Sequence, residues 1–322
     1  MPDLSALTIA YGRDTHLANV VLGFEAQSVR PAELVIGVMQ DRPYDLPATS
    51  FPVRQIHVTR PDGELPLAAA RNRVADAATG EVLAFVDVDC IPHPDFVAET
   101  LAVCTPETGI LMGEVAYLPS GATEHGLDFD TFEQIGQRHS DRQGPPPKGM
   151  RLCNDYRCFW SLNFAMHRDT WATCGKFHEG YYGYGGEDTD FARTIDAAGL
   201  PIWWMRGAKV FHQHHAHCMP PIQHLASVLR NADVFAERWG HRTMGHWLWG
   251  FSLMGLIEKD GDAIRILREP DESDYALCRQ TDDMPYANSR RVIDILQASQ
   301  QEEEARRTEV AEAEIAFVTA AE

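Results

Sequence analysis

The chain has 322 residues, 44 % of them hydrophobic, enough for one large α/β domain or two small ones with a substantial core. Its formal net charge is −19 and it carries no long Lys/Arg run, so most of the surface would repel a phosphate backbone and nucleic acid is not an expected partner. No apolar stretch approaches the ~20 residues that span a bilayer. No small-residue cleavage site follows the early apolar run, so the expected location is cytoplasmic. Seven cysteines, an odd number without a CxxC pair, read as reduced and mostly structural.

Residues 4–10 read as a short apolar strand, and 15–26 as a helix with Leu17, Val20, Val21 and Phe24 at helical spacing. A buried strand over 33–39 and an outer one over 53–58 follow. The alanine-rich stretch 67–78 predicts a helix stopped by Thr79-Gly80, and 82–86 the next buried strand, which runs into Asp87-Val88-Asp89. A helix at 96–103 and a strand at 110–117 precede a polar, Gly/Pro-rich segment, 118–149, which reads as a loop or lid. Beyond it come a Gly-rich segment at 180–186, a helix at 188–198, a strand at 202–205 and a helix at 222–239. The apolar run 247–257 is a core element or a membrane-facing patch, with burial the favoured reading; the tail from about 298 is acidic and helix-prone. Strands alternating with helices predict an α/β fold with a mostly parallel sheet. Ligands bind at the carboxyl ends of such strands, where the acidic triplet lies.

Three motifs carry chemistry. In FVDVDCIP, 85–92, a hydrophobic strand stops at two carboxylates. Strand residues i and i+2 share a side, so Asp87 and Asp89 are expected to face one polar pocket, where two anions need a cation or donors between them. Hard oxygen ligands suit Mg²⁺ or Mn²⁺, which would neutralise a diphosphate leaving group; a solvated strand end is the other reading. In YYGYGGEDTDF, 181–191, the glycines allow close backbone approach and Glu187-Asp188 open a helix. Helix-terminal amides favour an ionised carboxylate, which makes Asp188 a candidate general base and a plain N-cap the alternative. Tyr182 and Tyr184 are candidates for stacking on a sugar face. In FHQHHAHC, 211–218, histidines 212, 214, 215 and 217 follow a predicted strand. His212 and His214 share a face if the strand continues, and imidazole there suits Mn²⁺. A zinc hydrolase built on His212–His217 is a rival, although HExxH spacing is absent, and a surface cluster without metal is another.

Together and in this order these motifs resemble the family 2 glycosyltransferases and the related C-terminal domain of the β-1,4-galactosyltransferases, both of the GT-A nucleotide-diphospho-sugar fold. The opening LTIAYGRDTHLANVVLGFEAQSVRPAELVIGV looks like that family's first β-α-β unit, with Tyr11 at its Tyr position and Gly12 where Asn is usual. The likeness implies that Ala10, Tyr11 and Arg13 border the donor. Where the family often has an acidic pair for the base and ribose, this chain has Met39-Gln40-Asp41, so Asp41 alone is carried over. In AAARNRVADAATGEVLAFVDVD, Arg71 and Asn72 match donor-side positions. The resemblance further implies Asp89 as metal ligand, Asp87 as donor contact, and His212, with His214 beside it, completing the coordination. The GGED match implies Asp188 as base, Glu187 as a sugar-hydroxyl contact, Tyr184 as a stacking aromatic and Gly186 beside the donor.

The implied organisation is a GT-A domain over 1–220, with a donor half at 1–117, a lid at 118–149 and an acceptor half at 150–220. A helical C-terminal extension over 221–322 packs on it. The implied activity is inverting, Mn²⁺- or Mg²⁺-dependent transfer of a hexose or N-acetylhexosamine, from a UDP-linked donor in the first instance. The acceptor is a saccharide, glycolipid or small molecule, with peripheral contact at the inner membrane face left open. A saccharide-binding protein of the same fold without turnover is the alternative. A nucleotidyltransferase would carry a Gly-rich basic loop that 4–14 lacks.

Overall fold

The computed structural model describes residues 3–139, 142–281 and 289–320, with side chains through 309. The chain divides into two compact units: Met1–His215 with Arg230–Thr243, and Ala216–Leu229 with Met244–Glu322.

The first unit runs β1 (Leu4–Ala10), α1 (Asp14–Glu25), β2 (Glu33–Val38), β3 (Val53–His57), α2 (Leu67–Ala77), β4 (Val82–Val86), β5 (Cys90–Pro92), α3 (Phe96–Val103), β6 (Ile110–Met112) and β7 (Val115–Tyr117). It continues through α4 (Phe129–Ile135), β8 (Met150–Leu152), β9 (Asn163–His167), α5 (Arg168–Cys174), α6 (Glu187–Ala197), β10 (Ile202–Met205) and β11 (Val210–His212). The main sheet has the order β3-β2-β1-β4-β9-β6-β10-β8. β1 is parallel to β2 and β4, β2 to β3, and β6 to β10, while β9 runs antiparallel between β4 and β6. β1, β2 and β4 are buried along their whole length, the state that continuous apolar runs select in a parallel sheet covered on both faces.

The expected alternation through the acidic triplet does not occur. β4 ends at Val86, and Cys90 N–H donates to the Asp87 carbonyl at 3.0 Å, so the chain turns before entering β5. β5 belongs to a second sheet, β5-β11-β7, in which His212 pairs with both Cys90 and Tyr117. The turn delivers the histidine strand to the acidic triplet.

A stack of aromatic rings fixes where α6 begins. Phe85 of β4 lies 4.4 Å from Phe164 of β9, and Phe191 of α6 lies 4.1 Å from Phe177; Phe164 also touches Phe177 and Phe191. All four are buried, and such pairs add to simple area burial. The end of β4 and the start of α6 are thus held by one core.

Two expectations about organisation change. The lid expected at 118–149 contains α4, whose Phe132 is fully buried with Leu118, Ile91 and Phe211; an apolar residue that can pack is worth more there than in a loop. Residues 140 and 141 of that segment lie outside the described residues. The segment 230–243, expected in the C-terminal extension, packs within the first unit: it includes the last ten of the fifteen residues of α7 (Leu225–Trp239).

The second unit contains α8 (Gly245–Leu253), α9 (Glu272–Cys278) and α10 (Arg290–Ala320), with a hairpin of β12 (Ile257–Asp260) and β13 (Ala263–Ile266) that a wholly helical reading omits. α8 packs on α10 and on β12. Leu248 and Phe251 are buried while Trp249 is exposed, and Gly255 at φ 66° turns the chain just past the end of α8. Among the described residues no helix is long and apolar enough to cross a membrane. Residues 282–288 and 321–322 of the expected extension lie outside the described residues.

Candidate active site

The site forms where β4, α6 and β11 end or begin, and one buried arginine joins its two acidic motifs. Arg71 of α2 donates from Nη1 to Glu187 at 3.0 Å and lies within 3.3 Å of Asp87 through Nη2. It is only 5 % exposed, so these are charge-assisted bonds in a poorly solvated setting rather than the solvent-facing side chain a surface helix would present. Asn72, the next residue, matched a donor-side position but works on the backbone: its amide group bonds Phe177 N–H, Phe177 O and Glu179.

The glycine loop needs its glycines. Gly183, Gly185 and Gly186 have φ of 73°, 89° and 91°, a region costly for other residues. Gly186 is the N-cap of α6, so Asp188 lies inside the first turn and is not the cap. Asn231 of α7, fully buried, donates to the carbonyls of Tyr182, Tyr184 and Gly185 at 2.8 to 3.3 Å. Asp190 anchors the helix by accepting from Arg238 at 2.8 Å and Trp239 at 2.6 Å. None of these partners is adjacent in sequence, and no motif announced them.

Asp188 has its carboxyl pushed up to about 7, by burial first and then by the charge of Glu187, against the pull of Arg71. The helix-terminal amides were expected to favour ionisation; desolvation and a like charge outweigh them. Asp87 is likewise raised, to about 6, by burial and by Asp89 and Glu187 against Arg71. The Tyr184 hydroxyl is raised by burial and by Asp188, Glu187, Asp87 and Asp89, which places it among these acids even though the residue is 37 % exposed.

Asp89 behaves oppositely. Burial alone would raise it, but His212, His215 and Arg13 hold it well below the usual carboxylate range. Its oxygens lie 3.6 Å from His212 Nε2, 3.4 Å from His215 Nε2 and 3.1 Å from Arg13 Nη1. Asp89, His212 and His215 each offer one ligand atom, all within 4.8 Å of one another, the one such cluster among the described residues. One carboxylate with two imidazoles is a donor set that fits a divalent ion such as Mn²⁺. The ring of Tyr117 packs 4.7 Å from that of His212.

His214, expected as a ligand beside His212, is not in this cluster. β11 ends at His212, and Gln213 N–H donates to the Asp89 carbonyl at 2.7 Å, so the alternation that would align 212 with 214 stops and His215 takes the place. The His214 carbonyl instead meets the His16 ring at 3.2 Å. His217 belongs to the second unit, where its carbonyl accepts from Gln280.

On the donor side, Ala10 closes β1 with its carbonyl accepting from Met39, and Tyr11 is 44 % exposed under the Arg60 guanidinium, 4.4 Å from its ring. Asp41 is exposed past the end of β2. Gln40 is the residue that reaches the loop, its Oε1 accepting from Gly12 N–H at 3.2 Å. Arg13, at φ 56°, occupies a left-handed conformation rare for its type and reaches Asp89 rather than only bordering a pocket.

The family model for glycosyl transferase family 2 matches residues 48–151, the stretch that contains Arg71, Asp87 and Asp89. Among curated proteins, a validoxylamine A glucosyltransferase of Streptomyces hygroscopicus subsp. limoneus is 24 % identical over 267 residues, covering 74 % of this chain and 57 % of its own. Over that stretch the chain is similar to the family 2 glycosyltransferases. The same enzyme name from Streptomyces hygroscopicus subsp. jinggangensis (strain 5008) marks a protein 25 % identical over 194 residues, covering 53 % of this chain and 44 % of its own. The chain spans about half the length of the curated relatives it matches. Among solved structures, that of GalNAc-T7 with UDP, GalNAc and Mn²⁺ superposes with a TM-score of 0.52 at 14 % identity, covering 79 % of this chain and 51 % of that one. That likeness is one of fold, and it agrees with the GT-A architecture of the larger unit.

Proposed function

We propose that the chain transfers a hexosyl or N-acetylhexosaminyl group from a UDP-linked donor to an acceptor hydroxyl with inversion. The reading is carried by Arg71, which brings Asp87 of the acidic triplet and Glu187 of the glycine loop to one guanidinium, so that Asp188 stands beside the donor acids. The acceptor oxygen forms its bond to the anomeric carbon as the bond to the diphosphate oxygen breaks; the proton goes to the Asp188 carboxylate and the electron pair leaves with UDP. A carboxyl at about 7 is near balance at neutral pH, as a base that must accept and later release a proton requires.

Asp89, His212 and His215 would hold a Mn²⁺ or Mg²⁺ ion, which when bound supplies neutralisation of the departing diphosphate. Arg13 adds a further cation on that side, and Tyr184 at the rim is placed to stack on the sugar. Asp87 and the 10–13 turn contact the donor. A saccharide, glycolipid or small molecule serves as acceptor, and the glucosyltransferase names of the relatives support a glucosyl donor as the first to try.

The test is UDP release from UDP-glucose, UDP-galactose and UDP-N-acetylglucosamine with Mn²⁺ and with EDTA, followed by NMR of the product's anomeric configuration. Retention of configuration would overturn the base assignment. Turnover unaffected by EDTA would overturn the metal assignment, and donor binding with no turnover on any acceptor would leave the saccharide-binding alternative.

A further inference from the structure

A small recess opens beside the end of β6, lined by Glu114, Arg138, His139, Arg142, Pro145 and Trp204 among others. It lies on the β6–β10 side of β4, away from β1, β2 and β3. Two ring contacts link it to the histidine cluster: His139 is 5.7 Å from Tyr117, and Tyr117 is 4.7 Å from His212.

The charge in this recess is unbalanced. Glu114, the one acid among the described lining residues, is 4 % exposed and already accepts from Arg138 Nη2 and Arg206 Nη1, each at 2.6 Å. Arg142 has no such partner: its Nε, Nη1 and Nη2 are buried and make no hydrogen bond. Its guanidinium lies 4.9 Å from the ring centre of Trp204 and 5.7 Å from that of Trp160. Aromatic faces attract a cation but accept few of the five N–H donors it presents. Among the described residues, the ionisable groups around it include Tyr117 and the thiols of Cys90, Cys153 and Cys158, weak acceptors by comparison with a carboxylate. Arginine does not shed its proton to escape burial, so the arrangement calls for an anion. In sequence the stretch 138–157 is basic, with five Arg/Lys against two Asp, in a chain whose net charge is −19.

Resting on the transferase reading above, we propose that this recess is an oxyanion subsite for the acceptor. Arg142, assisted by Arg138, receives a carboxylate or phosphate that the acceptor carries, so the acceptor is an acidic or phosphorylated saccharide or polyol. The planar guanidinium bonds such a group through two parallel N–H donors and leaves the neighbouring hydroxyl to Asp188.

The full chain is titrated calorimetrically with inorganic phosphate and with acetate, and assayed with UDP-glucose and Mn²⁺ against glucose, glucuronate and glucose 6-phosphate. Saturable binding of at least one anion is expected, weakened at least tenfold by Arg142→Met, which keeps an apolar stem over Trp204. Arg142→Lys, which keeps a charge without the fork, recovers part of it. Among acceptors, the ratio of kcat/KM for the anionic sugar over glucose should exceed tenfold and collapse in Arg142→Met; which anionic sugar gains separates carboxylate from phosphate. No anion binding by the unsubstituted chain would overturn the proposal. So would anion binding without any preference among acceptors. Absence of turnover with every acceptor strikes the transferase reading instead, and the phosphate and acetate titrations of the unsubstituted chain, Arg142→Met and Arg142→Lys still decide whether the recess takes an oxyanion.

Discussion

Arg13 and Asp89, 76 residues apart, meet through a 3.1 Å ion pair. Arg13 is a third exposed at its side chain, while Asp89 is nearly covered, so the arginine can leave the pair more easily than the acid can. The same guanidinium can therefore neutralise Asp89 or a diphosphate. Arg13→Ala should raise the KM for a UDP-sugar by about tenfold, the loss of one charged hydrogen bond. Mn²⁺ affinity measured without nucleotide should hold or tighten, because a competing cation has gone. Calorimetric titration with MnCl₂ checks the second half, and a matching loss of Mn²⁺ affinity would contradict it.

The clustering of Asp89, His212 and His215 makes a prediction that the order of histidines in the sequence does not. His215→Ala should weaken Mn²⁺ binding by roughly ten- to a hundredfold, as removal of ligands or their supports commonly does. His214→Ala should change it by less than about twofold on the same scale. Electron paramagnetic resonance of free Mn²⁺ in the two variants decides between them.

The acids around Arg71 set a pH profile. Asp188 is at about 7 and must be ionised to act, so kcat/KM should rise about tenfold per pH unit below that value and level above it. Glu187→Gln removes the like charge that raises Asp188 and leaves Arg71 to the remaining acids, so the acid limb should move to lower pH. A limb that stays in place would show that Asp188 is not the group reported.

Stability should follow with the opposite appearance. The ordinary value for Asp188 is 3.8, so between about 4 and 7 the folded chain holds a proton that the unfolded chain has released, and this group's contribution to stability falls as pH rises across that window. Asp188→Asn should flatten that part of the profile, as measured by urea unfolding at pH 5 and pH 8.

Asn231 grips three carbonyl groups of the glycine loop, those of Tyr182, Tyr184 and Gly185, from α7. Asn231→Leu should cost about 1–3 kcal/mol in urea unfolding, because buried carbonyls lose their donor. It should also lower kcat more than it alters donor affinity, since the loop presents Asp188 and Tyr184. Equal effects on donor affinity and kcat would place the loop on the donor instead.

Much of the fold was legible because it rests on local pattern. Continuous apolar runs marked β1, β2 and β4, helical spacing marked α1 and α2, and the abrupt change from apolar to acidic at 86–89 marked a strand end facing a site. The paired acids after three left-handed glycines marked the start of α6. The sequence by itself therefore determined the fold class and the positions of the two acidic motifs. Only the tertiary structure decided which groups stand against them. His215 replaces His214 because β11 stops at His212; Arg13 reaches Asp89 because two left-handed residues turn it there; Asn231 and Arg238 secure α6 from a helix expected in another domain. Desolvation belongs to the same class, raising Asp188 where a helix terminus alone would lower it. Periodicity encodes which face of an element is apolar, whereas partners tens to hundreds of residues away, and the dielectric they create together, exist only once the core has closed.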